Sequence, residues 1–280
     1  MNHLETILSW SIFSFEVALC AFLYARKAQK ILPFFTAYAT VLLINMIWLW
    51  FVYEVFGIFS VTAYFCYWIS ILVNAGMRSL AIAELCRFKL GAYRGIWGLV
   101  WRVLAGLSAL FLLHAAIDTW GQPNRFAIYS LTLDRDLEIA SVAILAVLLL
   151  IHNYYGLSLE PPQRTIAAGI CFIAATDAIG YTILRHLYTG FLFPIFSANH
   201  SSLWRDLVPY SVQINDLWST VHLSCFMCTI GIWCYALRKP IPAREEAPEL
   251  LPAEVYRELS PAINLRLTTI NDRLLEMLKP

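Results

Sequence analysis

The side chains of this chain most able to do chemistry are the ionisable and amide groups set inside apolar runs. Glu16, Asn45, Asn74, Arg78, Arg102 and Asp177 each interrupt a long hydrophobic segment. In lipid, an Arg or Asp at a helix centre costs about 2.5–3.5 kcal/mol on insertion scales, so such groups face protein or a water-filled cavity. Gathered near one depth, they form either an ion, proton or ligand site, or a structural network of ion pairs and amides that holds helix register. Asn74 and Arg78 are four residues apart and share a helix face, whereas Glu84 lies about 120° around the helix from Arg78. The carboxylate expected to meet Arg78 is Asp177 or Glu16.

A second group sits nearer the ends of the runs: His114 and Asp118, four apart, then His186, then Asp216 with His222. Three imidazoles with nearby carboxylates could hold zinc and activate water to cleave a lipid amide or ester. Such a site would resemble the seven-helix ceramidase and adiponectin-receptor superfamily. That family has a paired-His motif in the last helix where this chain has the single His222, and its receptor branch is oriented the other way. The favoured reading is therefore three unrelated interface histidines. Cys225 and Cys228 have CxxC spacing but lie inside an apolar helix with no redox or zinc-finger context. All seven Cys fall within or at the ends of apolar runs, as small helix-contact residues do.

The elements that must carry these groups are long apolar helices. The chain has 280 residues, of which 60% are hydrophobic and 14% charged, with a formal net charge of +1. That composition is of the membrane class and argues against nucleic acid as a partner. A hydrocarbon core of about 30 Å takes roughly 20 residues of helix. Seven segments qualify: Ile7–Tyr24, Ile31–Val55, Val61–Leu85, Gly95–Ile117, Leu137–Leu157, Thr165–Tyr188 and Leu217–Leu237. The first has an acidic leader and no small-residue cleavage pattern, which marks a span rather than a signal peptide. By depth, Glu16, Asn45, Asn74 and Asp177 then lie near the midplane, with Arg78 and Arg102 slightly to the inner side.

Orientation follows from the basic flanks. With the N-terminus outside, every Lys falls on the inner side, while the outer segments hold Arg125, Arg135, Arg185 and Arg205 among six acids. The outer connections 121–136 and 189–216 are long, and SSLWRDLVPY in the second reads as a short helix lying on the membrane or as a lid. After Leu237 come Pro240, Pro242, Pro248 and Pro252, a stiff linker. Ser260–Pro261 then opens a short amphipathic helix with Ile263, Leu267, Ile270, Leu274 and Met277 on one seam. A seam of about two heptads is too short to stand alone and should dock on a partner, a copy of itself or the headgroups.

Other seven-helix families can be set against these residues. Retinal needs a Lys in the last helix, and Leu217–Leu237 has none. G-protein-coupled receptors share the orientation, but helix 3 here ends in Glu84-Leu85-Cys86-Arg87 and helix 7 lacks Asn-Pro-x-x-Tyr. The chain resembles uncharacterised bacterial seven-helix inner-membrane proteins in the opening Pro33-Phe34-Phe35-Thr36-Ala37-Tyr38 of helix 2, in YFCYWIS at Tyr64–Ser70, and in the acidic Glu84 near the inner end of helix 3. That resemblance implies fold and location and carries no activity with it.

The expectation is thus an all-α polytopic membrane protein: a bundle of seven transmembrane helices over residues 1–237, N-out and C-in, with a cytoplasmic linker and amphipathic helix over 238–280. The leading functional expectation is a non-enzymatic receptor-like or accessory module that couples an outer or lipid ligand to a partner protein through the tail. The alternatives are a small transporter or channel using the midplane carboxylates, a metal-dependent membrane lipid hydrolase holding zinc at His114, Asp118, His186 and His222, and a structural subunit of a larger complex. No cofactor is expected in the leading case.

Overall fold

The computed structural model describes residues 3–57, 60–91, 94–121, 125–155, 161–186 and 201–238, with isolated positions beyond. Among them are seven α-helices and no strand: α1 (His3–Ala25), α2 (Pro33–Phe56), α3 (Val61–Leu90), α4 (Arg94–Asp118), α5 (Arg125–Tyr155), α6 (Pro161–His186) and α7 (Ser201–Leu237). A 3₁₀ turn, Ala28–Lys30, links α1 to α2. Six helices contain stretches long and apolar enough to cross a membrane: Thr6–Ala25, Pro33–Phe56, Val61–Phe88, Trp97–Asp118, Pro161–Ile183 and Leu217–Leu237. Large apolar side chains such as Trp10, Ile44, Trp50, Val61, Leu110 and Ile179 are exposed on the protein surface. Contiguous apolar surface on that scale belongs in lipid, and the chain is a multi-pass membrane protein.

Packing closes α1, α2, α3, α5, α6 and α7 into a ring, with α3 also touching α6 across it and α4 lying outside against α3 and α5. α3 touches α2, α4, α5 and α6, so a helix carrying Asn74, Arg78 and Glu84 has protein neighbours to receive them. At the end of the ring where α1 stops and α2 starts, the interior is apolar: Leu19, Leu23, Leu32, Phe35, Leu85, Ile166, Ile170 and Trp233 form one buried cluster. Trp233 meets Phe35 edge-on, with centroids 5.3 Å apart. A Cβ at Gly169 would run into the Trp233 indole, and one at Gly180 into Trp218. These two glycines let the antiparallel α6 and α7 approach closely, as small residues do between membrane helices.

The start of α2 shows how sequence sets local structure. Its first helical residue is Pro33, which has no N–H to satisfy. Phe34 and Phe35 donate their N–H groups to Glu84 Oε1 and Oε2 on α3, at 3.1 and 2.9 Å. Leu32 N–H bonds to the Ala28 carbonyl at 2.7 Å, and Thr36 N–H to the Leu32 carbonyl at 3.0 Å. The otherwise orphaned donors of this helix start are all occupied, two of them by a carboxylate placed against the positive end of the helix. At the other end, Gly57 closes α2 at φ +80°, a conformation side chains rarely adopt. Ser60 Oγ then caps α3 by accepting from Ala63 N–H at 3.0 Å.

The described parts of both expected outer loops, 125–136 and 201–216, are helix. α5 begins at Arg125, not Leu137, so most of the segment 121–136 is its first turns. Its 31 residues extend about 46 Å, beyond a bilayer core, and the charged stretch Asp134–Glu138 had marked a false boundary. SSLWRDLVPY is likewise continuous with α7 instead of a separate surface helix. The tail positions Ile263, Leu267, Ile270 and Leu274 lie outside the described residues, as does the Pro linker; Met277 is helical and 71% exposed.

Candidate functional site

The polar groups converge on a cavity of about 330 Å³ inside the ring, lined by side chains from α1, α2, α3, α5, α6 and α7. Its floor is the apolar cluster, and its walls carry Glu16, Tyr38, Asn45, Asn74, Arg78, Asp134, Asp177, Tyr181 and His222. It extends toward the end of the bundle where α2 finishes and α7 enters from Ser201, as Leu49 and His222 in its lining show.

Arg78 is its organising cation. Nη2 donates to Asp134 Oδ1 at 3.0 Å, and Nη1 pairs with Glu138 Oε1. The expected pairing with Asp177 or Glu16 is therefore corrected: the carboxylates bound to Arg78 come from α5, Asp134 from within the expected loop 121–136 and Glu138 from the edge of the expected span. Asp134 and Glu138 are four apart and present one helix face to α3, while Asp136 between them faces α4. The sequence signal was available in the i, i+4 spacing of LDRDLE, preceded by the apolar FAIYSLTL. Burial makes this fork demanding, because removing one partner leaves the other charge uncompensated away from water.

Asp177 takes a different partner. Its Oδ1 lies 2.7 Å from His222 Nδ1, and the imidazole stacks on Phe226 at 6.2 Å between centroids. Both residues stand about five positions from the middle of their spans, toward the same end, so the two polar layers read separately from the sequence meet here. Glu138 stands beside Asp177, and the Tyr181 hydroxyl beside Asp134. Asn45 Nδ2 donates to Asn74 Oδ1 at 2.8 Å and reaches the Ser70 carbonyl at 3.5 Å, tying α2 to α3. Tyr38, only 2% exposed, is within electrostatic reach of Arg78, Glu138, Asp177 and Glu16.

Glu16 is 4% exposed and lines the cavity, and its Oε2 has no hydrogen-bond partner among the described residues; Glu138 Oε2 has none either. A buried carboxyl oxygen without a donor is costly unless a proton or a ligand completes it. Four carboxyls, Glu16, Asp134, Glu138 and Asp177, thus gather around one guanidinium and one imidazole.

Arg102 does not join this cluster: it is exposed on α4, outside the ring. Of the four residues considered for zinc, the three whose side chains are described have other partners. His114 Nδ1 is 2.5 Å from Asp136 Oδ2, and Asp136 Oδ1 accepts from Arg135 Nη2 at 2.9 Å. Asp118 accepts from Thr132 Oγ1 at 3.0 Å, and His222 is committed to Asp177 on the far side of the ring. The His186 side chain lies outside what is described. Among the described residues no three His, Cys, Asp or Glu side chains are grouped so as to hold a metal ion. No family model, curated protein or solved structure matches the chain.

Proposed function

We propose that this protein is a seven-span carrier of the bacterial inner membrane, N-out and C-in, that takes a small organic cation into the central cavity in exchange for protons. The observation that carries this reading is the excess of acid over base among the described residues around the cavity, with oxygens of Glu16 and Glu138 left without a hydrogen-bond partner. A network built only to hold helices together pairs its charges off, whereas this excess needs protons or a bound cation to offset it in a low-dielectric interior. The volume of about 330 Å³ lies within the range of small-ligand sites, roughly 300–1,000 Å³, and exceeds what a bare ion needs. Tyr38, Tyr181 and Phe226 in the lining supply ring faces suited to an ammonium group. The receptor-like reading rests on the tail seam, most of which lies outside the described residues.

The seventh span is α5. Arg26 Nη2 donates to the Arg238 carbonyl at 2.8 Å, so the ends of α1 and α7 lie together. Two points on the same side of a membrane are separated by an even number of crossings. Between them α2, α3, α4, α6 and α7 supply five, and α5 supplies the sixth, which supports seven spans. Gathering of Lys27, Lys30, Arg87 and Arg238 at that end supports its assignment to the inner face.

The test is flux in proteoliposomes with a trapped pH dye and an imposed proton gradient, using choline, agmatine and ethidium as probes. At least one should move with counterflow of protons, and Glu16→Gln and Asp177→Asn should each abolish that movement while retaining the parent circular dichroism spectrum. Absence of proton-coupled movement for all three probes, or unchanged flux in both variants, would overturn the reading.

A further inference from the structure

A second concave feature lies outside the ring, independent of the central cavity. Between α2, α3 and α4, at the end where α2 begins, is a cavity of about 620 Å³ whose mouth carries Lys30 and Arg87 and whose walls include Phe34, Trp97 and Trp101. A narrower cavity of about 150 Å³ adjoins it, sharing Leu80, Ala83 and Trp101, and continues between α3, α4 and α5 as far as Phe111. From Trp97 to Phe111 along α4 is about 21 Å at 1.5 Å per residue. The half-thickness of a hydrocarbon core is about 15 Å, so the combined groove is long enough for one acyl chain.

Polarity is confined to one end. In the narrow part, Ser79, Ser108 and Ser141 turn their hydroxyls back onto the carbonyls of Ala75, Leu104 and Leu137 of their own helices, at 2.8, 2.9 and 2.6 Å. The channel therefore presents hydrocarbon and leaves no group that needs an outside partner. A peptide laid there would bury its backbone donors unmatched, whereas an acyl chain has none to match. At the mouth, Glu84 is the one acid among the described lining residues, and both of its oxygens are bonded to α2 N–H groups. Arg87 neighbours that carboxylate, and Lys30 adds a second cation to the same rim. The two Trp sit where rings of that kind anchor at a headgroup boundary.

We infer that this groove holds one anionic phospholipid, its phosphate between Lys30 and Arg87 and one acyl chain laid along α3 and α4 past Leu80 and Trp101. Basic pockets between membrane helices recognise such headgroups. A lipid held there braces α4, the helix outside the ring, against α3.

Native mass spectrometry of the full chain in mild detergent tests this, titrating phosphatidylglycerol and phosphatidylcholine of identical chains, with glycerol 3-phosphate as a competitor. Phosphatidylglycerol should bind one per protein, roughly tenfold or more tighter than phosphatidylcholine. Lys30→Gln with Arg87→Gln should erase that preference, both side chains being at the surface. Ala105→Trp, which fills the channel, should weaken both lipids alike, and glycerol 3-phosphate should not compete. Equal binding of the two lipids, a preference that survives the double substitution, displacement by glycerol 3-phosphate, or occupation of the face by a second copy of the chain would each overturn the assignment.

Discussion

Replacing Glu84 isolates one contact whose worth can be worked from geometry. Its carboxylate receives two N–H groups at the start of α2, at 3.1 and 2.9 Å. Hydrogen bonds to a charged group contribute about 1.5–3 kcal/mol each, and a carboxylate at a helix N-terminus adds about 0.3–1 kcal/mol. Phe35 is fully buried, so its donor falls at the upper end of that range; the Phe34 residue is exposed and its donor falls at the lower end. Glu84→Ala should therefore cost about 3–5 kcal/mol. Glu84→Gln keeps one carbonyl oxygen but presents an amide to the second donor, and should cost about 1–2 kcal/mol. Reversible unfolding in mixed micelles of mild detergent and dodecyl sulfate, followed by far-ultraviolet circular dichroism, reads both values. The expected order is parent, Gln, Ala. An Ala variant within about 0.5 kcal/mol of the parent, the spread of an ordinary surface substitution, would refute the capping role, as would a Gln variant less stable than Ala.

Two further outcomes are expected. Gly169→Ala and Gly180→Ala place a methyl group against Trp233 and Trp218, and each should lower unfolding stability by about 1–3 kcal/mol, with Gly106→Ala, which meets open space, as the unaffected control. In a cysteine-free background, Cys at position 120 should react with a membrane-impermeant maleimide in intact cells, while Cys at positions 27 and 238 should react only after permeabilisation; labelling of 27 and 238 from opposite sides would remove α5 as a span.

Much of this architecture is written in composition and spacing. Apolar runs of about 20 residues suffice to predict membrane helices, because lipid leaves a backbone no other partner for its polar groups. Glu16, Asn45, Asn74, Arg78 and Asp177 stood out as groups that must face inward for the same reason. Pro33 and Glu84 were also visible, the first as a helix start and the second as an acid near a helix end. Their joining was not, since it depends on α3 lying beside α2 with its last turns level with the first turn of its neighbour. Charge counting cut α5 short at Leu137, because four charged residues in a row of five look like a loop until a buried guanidinium is there to receive them.

Residue order alone yields an inventory: which apolar segments are membrane helices, which groups cannot face lipid, and which end of the bundle is basic. Local rules suffice for these, since hydrogen bonding, insertion cost and charge asymmetry all act within a helix or at its ends. The pairings came from how the helices pack. That packing matched Arg78 to Asp134 and Glu138, Asp177 to His222 and Glu84 to the start of α2, and it left Arg102 outside. Each depends on the rotation and height of one helix against another, which packing of residues such as Gly169 on Trp233 sets and no single segment contains.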